Sequence, residues 1–346
     1  MRALQYDRVG GPVRLVTVPD PAPEPDGAIV AVTRTGLCRS DWHGWQGHDG
    51  DTALPCIPGH EFTGTVAAAP ADPDLVGRRV VVPFVMACGT CVECGAGQAQ
   101  VCRSQRQPGF SDPGSFAEYV AVPHARVNVV PLPDSVDDDA AAALGCRVAT
   151  AWRALTAVAA LKRGESVAVL GAGGVGLAAV DIATALGADV LAVDIAERPL
   201  AAAAALGAAT AVVPRDAAPD VVAGAIRGWR PEGVQVTVDA LGAPALAAGG
   251  VLGLARRGRH VQVGLLPDGE ASVPMGRVIA HELRVLGSHG MSARDYPAML
   301  AAIGDGRIRP GALVRGVLGL ADGASALMAM DSDGGVGGLR LIDPRR

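Results

Sequence analysis

Aromatic side chains, long apolar stretches and blocks of like charge are all scarce in this chain of 346 residues. It has four Trp, three Tyr and four Phe residues, while 49% of its residues are hydrophobic and 19% are charged. The hydrophobic fraction excludes a disordered chain, because enough apolar surface is available for a packed core. The formal net charge is −5, which argues against a surface for nucleic acid or anionic membranes.

The apolar stretches are too short for a membrane span. The longest segments without a charged residue cover positions 199–214 and 240–255, and glycine and proline interrupt both. A helix that crosses a bilayer needs about 20 consecutive apolar residues. The first seven residues also lack the apolar region of a secretory signal peptide. We therefore expect a soluble cytoplasmic protein, and the length favours roughly two domains.

Most of the aromatic residues fall in one part of the chain. Those in this part are Trp42, Trp45, Phe62, Phe84, Phe110, Phe116 and Tyr119. Large rings either fill the core of a domain or line a binding pocket. The sequence leaves both interpretations open.

The cysteine content indicates metal binding rather than disulfide bonds. Seven cysteines, an odd number without a signal peptide, are typical of a reducing compartment. Four of them lie in one short segment, at Cys88, Cys91, Cys94 and Cys102. Four closely spaced thiolates favour a closed tetrahedral zinc site with a structural role. An iron–sulfur cluster is the alternative, but its usual cysteine spacings do not match.

The other cysteines are dispersed. Cys38 and Cys146, together with His60, have the composition of a catalytic zinc site in which a fourth position stays open. Spacing alone does not bring these three residues together. Cys56 fits no motif and is expected to be a small buried residue. The histidines without a motif are expected to be structural or surface residues, and they are His48, His124, His260 and His281.

The organisation of the chain changes near residue 137. Before it, short β-strands lie between Gly and Pro turns, and the clearest are Ala28–Thr33, Glu61–Val66, Arg79–Pro83 and Phe116–Val122. After it, Ala-rich helical segments alternate with β-branched runs. The runs are Val167–Leu170, Asp189–Val193, Ala211–Val213, Val234–Val238, Arg259–Val263 and Leu283–Leu286. This alternation predicts an α/β unit with a doubly wound parallel sheet of six strands. A further strand is expected at Gly338–Ile342, in a tail that returns to the first domain.

A glycine-rich turn follows the first of these runs. Its residues have the pattern GxGxxG, and they are Gly171, Ala172, Gly173, Gly174, Val175 and Gly176. The first glycine permits a tight turn, the second lets a pyrophosphate approach the backbone, and the third allows close helix packing. Asp194, which ends the next strand, is placed to bind ribose hydroxyls and to repel a 2′-phosphate, so NAD is favoured over NADP. Arg198 is the one feature that would admit NADP.

Together these motifs resemble those of the zinc-dependent medium-chain alcohol dehydrogenase family over nearly the whole chain. They are GxCxxDxH at 36–43, GHExxG at 59–64, the four-cysteine segment at 88–102, the cysteine at 146 and GxGxxG at 171–176. The resemblance implies a GroES-like, mostly β catalytic domain and a Rossmann domain with the six-stranded sheet. We assign residues 1–147 to the first domain, with a structural zinc lobe at about 84–106. Residues 148–288 form the second, and residues 289–346 are a return segment that completes the first.

The resemblance also implies a set of residues around the catalytic zinc. Cys38, His60 and Cys146 match the zinc ligands. Asp41 matches the carboxylate that orients the histidine ligand, which metal-bound imidazoles generally need. Glu61 matches an acid behind the metal that can ligate it transiently.

Other residues match positions near the substrate and the cofactor. Ser40 matches the hydroxyl that contacts the substrate oxygen, and His43 matches the outer end of a proton relay. The cofactor-binding residues implied by the resemblance and the glycine motif are Arg39, Thr150, Gly171, Gly173, Gly174, Val175, Gly176, Asp194, Arg198, Val263, Leu265 and Arg340. The residues expected at the substrate pocket are Trp42, Phe84, Phe116, Leu265 and His289.

The resemblance implies reversible hydride transfer between a primary or secondary alcohol and NAD, giving an aldehyde or ketone, with two zinc ions per chain. One alternative is a biosynthetic carbonyl or aldehyde reductase for a bulky substrate. Another is a polyol or amino-alcohol dehydrogenase of the same superfamily, but such relatives commonly lack a cysteine third ligand, so Cys146 argues against it. A non-enzymatic zinc-stabilised protein would not need an open coordination position. Relatives of this length imply a homo-oligomer, with a tetramer favoured over a dimer.

Overall fold

The computed structural model describes residues 1–266, 270–331 and 337–346. Within these residues the chain forms two compact units. The first unit comprises Met1–Ala149, residues 290–331 and Leu339–Arg346, and the second comprises residues 150–266, 270–289 and 337–338. The first unit is therefore assembled from segments that are far apart in the sequence.

The elements of the described residues have the following bounds. The strands are β1 (Arg2–Gln5), β2 (Arg14–Thr17), β3 (Ala28–Leu37), β4 (Phe62–Ala68), β5 (Arg79–Val82), β6 (Tyr119–Val122), β7 (Val130–Pro131), β8 (Ser166–Leu170), β9 (Asp189–Asp194), β10 (Ala209–Val212), β11 (Val234–Asp239), β12 (Leu254–Gln262), β13 (Arg284–Gly287), β14 (Val314–Gly319) and β15 (Leu339–Asp343). The α-helices are α1 (Arg39–Gln46), α2 (Val92–Gly95), α3 (Ala125–Asn128), α4 (Asp138–Ala142), α5 (Arg147–Arg153), α6 (Gly174–Ala185), α7 (Glu197–Ala205), α8 (Pro219–Trp229), α9 (Pro244–Leu252), α10 (Met275–His281), α11 (Tyr296–Gly304) and α12 (Leu320–Met328). A π-helical turn at Ala154–Val158 follows α5, and short 3₁₀ segments lie at Pro73–Leu75, Ala99–Val101, Ala293–Asp295 and Pro310–Leu313.

Among the residues that the structure describes, no helix is long and apolar enough to cross a membrane.

The first unit is built on a mixed seven-stranded sheet. Its path runs β14-β15-β3-β4-β5-β7, and β6 also pairs with β3. The long strand β3 is rich in β-branched residues and pairs with β4, β6 and β15 along different parts of its length. Buried valine, alanine and phenylalanine side chains of these strands form a core. The end of β3 and the start of β4 are therefore firmly held positions for the residues beside them.

The predicted strand Phe116–Val122 begins too early. Pairing with β3 starts at Tyr119, because the Phe116 backbone is bonded elsewhere. Its N–H donates to the carbonyl of Pro58 at 2.9 Å, and its carbonyl accepts from the N–H of Leu4 at 2.8 Å. The strand expected at Gly338–Ile342 is present as β15, whereas β1, β2 and β14 have no counterpart among the predicted strands.

The second unit contains a six-stranded sheet in the order β10-β9-β8-β11-β12-β13. Every neighbouring pair in it is parallel. All five residues of β8 are buried, which explains the continuous apolar run from Val167 to Leu170 in this central strand. The strand order reverses beside β8, and sheets of this kind bind ligands at the carboxyl ends of the strands at such a point. The predicted parallel sheet of six strands is confirmed.

Candidate active site and metal centres

Three metal-binding side chains converge in the first unit. Cys38 follows the end of β3 and is the N-cap residue of α1, His60 lies in the turn before β4, and Cys146 lies immediately before α5. Their ligand atoms all lie within 4.8 Å of one another. Cys38 and His60 are almost completely buried. The fold thus brings together three residues that sequence spacing does not connect.

Asp41 fixes the orientation of the His60 ring. Its Oδ1 lies 2.8 Å from Nδ1 of His60 and also accepts a hydrogen bond from the Gly59 amide at 3.1 Å. Its Oδ2 accepts a hydrogen bond from the Cys38 amide at 3.0 Å. Nε2 of His60 is buried and has no hydrogen-bond partner among the described residues. A metal ion would supply the partner that this nitrogen lacks, so the donor set fits zinc, which Cys38, His60 and Cys146 would hold.

A hydrogen bond joins the two thiols of this site. Cys146 donates a hydrogen bond to Cys38, which lowers the pKa of Cys38 below its usual range and raises the pKa of Cys146. Burial lowers the pKa of His60, but the Asp41 carboxylate and the neighbouring Cys38 together outweigh burial, so the net shift of the pKa is upward. Zinc requires thiolates and a neutral imidazole, so its binding here would release protons.

Glu61 follows His60 directly and is bonded to Arg147. Its Oε1 accepts a hydrogen bond from the Arg147 amide at 2.6 Å, and its Oε2 accepts one from Nε at 2.6 Å and contacts Nη2. Both side chains are buried. Burial raises the pKa of Glu61, and the charge of Arg147 partly offsets this. Both carboxylate oxygens are therefore occupied by the arginine, which contrasts with the implied role of Glu61 as a transient metal ligand.

Two phenylalanine rings lie beside His60. The centroid of Phe84 is 6.0 Å from that of the imidazole with an interplanar angle of 81°, and Phe110 lies at 5.4 Å and 53°. These rings place apolar surface next to the metal-binding atoms, as in most small-molecule sites. Phe116, which was expected at the pocket, is instead completely buried in a core cluster with Leu4 and Tyr6. The core interpretation of the aromatic residues therefore applies to Phe116.

Ser40 and His43 both lie on α1. Oγ of Ser40 is 3.9 Å from Sγ of Cys38, so the hydroxyl is close to the metal-binding atoms. Nδ1 of His43 is 2.9 Å from Nδ1 of His48. Burial, the positive charge of Arg39 and the neighbouring His48 lower the pKa of His43. His48 is a surface residue, as expected, but it is hydrogen-bonded to a residue of the implied relay.

Arg39 and Arg340 lie near the same end of the first unit's sheet. Arg340 is on β15 in register with Leu37, the last residue of β3. The guanidinium carbon of Arg39 is 4.7 Å from the centroid of the Trp42 ring, and its Nη2 donates a hydrogen bond to Asp331 at 3.0 Å. Both arginines thus neighbour the segment that carries Cys38.

The four-cysteine segment forms a second compact set of sulfur atoms. The sulfur of Cys91 lies 3.4 Å from that of Cys94 and 3.6 Å from that of Cys102, and the sulfurs of Cys88 and Cys102 are 3.5 Å apart. Sulfur atoms about 3.8 Å apart are expected around zinc with Zn–S bonds of about 2.3 Å. Backbone and side-chain hydrogen bonds from Thr90 lower the pKa of Cys88 to about 6, which favours the thiolate. These residues fit one closed zinc site.

The glycine-rich turn of the second unit has a geometry that only glycine allows. Gly171 has φ = +90°, and a Cβ at Gly176 would collide with the Gly171 carbonyl. A Cβ added at Gly173, the N-cap of α6, would meet no atom within 4 Å. Gly174 and Val175 begin α6, so free space lies beside the N-terminus of this helix, where a phosphate can bind.

Asp194 ends β9 and lies against this turn. Its carboxylate accepts hydrogen bonds from the amide of Ala172 at 2.7 Å and from the amide of Ala196 at 3.0 Å. Arg198 lies in the first turn of α7. The acid is therefore held beside the turn by two backbone amides.

The other residues predicted at the cofactor site or the substrate pocket belong to the second unit, and they lie on or next to different helices and strands. Thr150 is on α5 and is buried. Val263 follows β12 and its N–H donates to the Asp239 carbonyl at 3.0 Å, while Leu265 is 61% exposed. His289 follows β13. The cofactor and pocket roles of these residues stay predictions.

No motif in the sequence points to Arg147 or to Phe110 as a site residue. Arg147 is the only charged residue between Ala140 and Trp152. A lone charge in an apolar run is seldom buried without a partner, and this signal could have identified it. The partner, Glu61, lies too far away in sequence to be recognised.

Comparison with known proteins agrees with these features. Residues 24–134 match the model of the alcohol dehydrogenase GroES-like domain, and residues 174–305 match that of the zinc-binding dehydrogenase. The chain is 32% identical over 318 residues to an alcohol dehydrogenase of Geobacillus stearothermophilus, which covers 89% of this chain and 90% of that protein. It is 30% identical over 356 residues to an L-threonine 3-dehydrogenase of Streptomyces avermitilis, which covers 99% of each.

A solved structure of an alcohol dehydrogenase has the same fold as this chain. The alcohol dehydrogenase of Thermus sp. ATN1 superposes with a TM-score of 0.88 at 29% identity, covering 99% of both chains. The chain belongs to the zinc-dependent medium-chain alcohol dehydrogenase family. The predicted fold class, a GroES-like unit plus a Rossmann unit, is confirmed.

Proposed function

We propose that this chain is a zinc-dependent alcohol dehydrogenase that transfers hydride between a primary or secondary alcohol and NAD, giving an aldehyde or ketone. The convergence of Cys38, His60 and Cys146 is the observation that carries this proposal. Cys38 and His60 are buried and Cys146 is partly buried, the histidine has an unpartnered Nε2, and three protein ligands leave one zinc position for a further molecule. A purely structural site would be closed by a fourth protein ligand.

Zinc in this site would supply a Lewis acid for the substrate oxygen. The chain's own residues orient the substrate and move its proton. The Ser40 hydroxyl, close to Cys38, accepts a hydrogen bond from the alcohol. The rings of Phe84 and Phe110 hold the carbon skeleton of the alcohol and exclude water beside His60.

His43 is the group proposed to exchange the proton with solvent. Its ring is half-buried and is hydrogen-bonded at Nδ1 to the exposed His48. The second nitrogen, Nε2, is therefore the one available to take up a proton from the substrate side. The lowered pKa of His43 keeps its ring neutral at neutral pH, so the ring is able to accept the proton.

NAD would be the hydride acceptor. The open space at Gly173 beside the N-terminus of α6 supports a pyrophosphate there. The carboxylate of Asp194, at the end of β9, supports binding of ribose hydroxyls and disfavours a 2′-phosphate. Arg198, Thr150 and the residues near β12 are proposed to complete the site. We further propose a pyrophosphate contact for Arg39 and Arg340.

The four-cysteine segment is proposed to hold a second, structural zinc, which gives two zinc ions per chain. A cytoplasmic homotetramer is the assembly that we propose. An amino alcohol is a second candidate substrate class, because the chain aligns over 99% of its length with an L-threonine 3-dehydrogenase.

The test combines metal analysis with a substrate panel. Purified protein is assayed for zinc, and NADH and NADPH formation is followed with primary, secondary, aromatic and polyol alcohols and with L-threonine. Turnover of a simple alcohol with NAD, lost in Cys38→Ser, is the expected result. Preferred turnover of L-threonine would establish the second candidate. Protein that contains both zincs but shows no turnover in either direction, with aldehydes and ketones also tested, would contradict the proposal.

A further inference from the structure

Arg147 contacts the chain beside each ligand of the proposed catalytic zinc. Its guanidinium donates to the Leu37 carbonyl at 3.2 Å through Nη1 and to Glu61 through Nε at 2.6 Å. Leu37 precedes Cys38, Glu61 follows His60, and Arg147 itself follows Cys146. One buried side chain therefore links the three ligand-bearing segments.

The surrounding backbone is shaped around this ion pair. A Cβ at Gly36, on β3, would collide with Oε2 of Glu61 and with Nη2 of Arg147. The amide of Gly36 also donates to the carbonyl of Glu61 at 2.7 Å. The glycine thus allows β3 to approach the pair closely, and the pair cannot shift without moving the strand that ends next to Cys38.

We propose that Arg147 is a positioning residue that keeps the Glu61 carboxylate out of the metal's coordination shell and holds Cys38, His60 and Cys146 ready for zinc. The inference rests on the proposed function, because it takes those three residues as the zinc ligands. A carboxylate is a strong zinc ligand, and Glu61 is adjacent in sequence to one of the ligands. Oε2 of Glu61 is bonded to the guanidinium of Arg147 and Oε1 to the main-chain amide of the same residue, so the carboxylate cannot add to the metal as a fifth ligand beside the three protein ligands and the molecule at the open position.

The test uses Co(II) in place of zinc, because the intensity of its visible absorption reports the number of ligands. Four-coordinate Co(II) absorbs strongly, and a fifth ligand weakens the absorption. Subtracting the spectrum of Cys38→Ser removes the signal of the four-cysteine site. In Arg147→Met, Oε2 of Glu61 loses the guanidinium while Oε1 keeps the main-chain amide. The freed Oε2 is expected to bind the metal as a fifth ligand and to reduce the visible absorption about twofold or more.

The double variant Arg147→Met/Glu61→Gln separates the two parts of the proposal. It has no carboxylate to bind the metal, so its cobalt spectrum should return to the wild-type intensity. It has also lost the link between the ligand segments, so its zinc affinity should fall about tenfold or more, the size of effect seen for groups that orient metal ligands. It leaves no unpaired buried charge, so it carries the test if Arg147→Met does not fold.

Arg34→Met is the matched control. Like Arg147, Arg34 is a largely buried arginine in an ion pair; it lies on β3 and pairs with Asp139 and Asp343 at 2.8 Å each. Its loss should lower stability and leave the cobalt spectrum and zinc affinity unchanged. An unchanged spectrum in Arg147→Met, or an unchanged zinc affinity in the double variant, would overturn the inference. Absence of thiolate-to-cobalt absorption in the difference spectrum of wild type minus Cys38→Ser would instead overturn the proposed function.

Discussion

The carboxylate of Asp41 lies 2.8 Å from Nδ1 of His60 and leaves Nε2 as the ring nitrogen that can bind a metal. Asp41→Asn removes the charge while keeping the shape. The asparagine side chain has only one oxygen that accepts hydrogen bonds, so it cannot accept all three that the carboxylate accepts. The ring therefore loses its fixed orientation. We expect zinc affinity at this site to fall about 10- to 100-fold, measured by competition with a chromophoric chelator.

Asp239→Asn is the control for this change. Asp239 is another completely buried acid, and it accepts hydrogen bonds from the amides of Leu241 and Gly242 at 2.9 and 2.8 Å. It should lower stability without changing zinc affinity. Equal zinc affinity in Asp41→Asn and wild type would show that Asp41 does not orient the ligand.

Removing one thiolate of the four-cysteine segment should release one zinc and loosen this segment. Structural zinc contributes directly to folding free energy. Cys102→Ser is therefore expected to contain one zinc per chain instead of two and to unfold at a lower temperature. Metal analysis and thermal unfolding test this.

Cys56→Ser is the matched cysteine control, since Cys56 is buried outside both clusters and donates to the Gly109 carbonyl at 3.3 Å. It should retain both zincs. Full zinc content in Cys102→Ser would refute the closed site.

Asp194 determines the cofactor preference in the proposed function. Replacing it with glycine removes a negative charge that would lie near a 2′-phosphate, and such like-charge contacts cost several kcal/mol. The ratio of kcat/KM for NAD to that for NADP should fall by about tenfold or more in Asp194→Gly. Asp189→Asn, at the exposed start of the same strand, should leave the ratio unchanged. A ratio that does not move in Asp194→Gly would remove Asp194 from the cofactor site.

The pair of His43 and His48 predicts a pH effect. His43 accepts a proton only when neutral, and its lowered pKa keeps it neutral below the ordinary histidine value of about 6.5. Besides burial, Arg39 and His48 both lower this pKa, while Cys38 and Asp331 raise it. His48→Gln removes one lowering contribution, so the pKa rises and alcohol oxidation should begin to decline at higher pH.

The measurement is the acid limb of the pH profile of kcat. His124→Gln serves as control, because His124 pairs with Asp26 on another part of the first unit. An acid limb that is the same in wild type and His48→Gln would show that His48 does not affect the relay.

Features that are local in sequence could be predicted well. The turn at Gly171 and the thiols from Cys88 to Cys102 each lie in one short segment, whose spacing defines its geometry. The alternation of helices and apolar runs likewise predicted the parallel sheet, because buried parallel strands need continuous apolar sequence.

Features that depend on distant pairing could not be predicted from the residues alone. Cys38, His60 and Cys146 meet because the register at the end of β3 places Thr35 opposite Phe62 of β4 and because the segment before α5 packs beside them. No local pattern records that register, and only the family resemblance connected these residues. The ion pair of Arg147 with Glu61 depends on the same long-range arrangement.

The last strand of the first unit, β15, borders β3 on the side opposite β4. During synthesis, β3 is therefore made long before β15, the strand that completes its pairing. The entire second unit is made between the two strands. Loop closure of this length is entropically costly and slows folding. The end of β3 that leads into Cys38 therefore lacks its β15 neighbour until almost the whole chain has been synthesised.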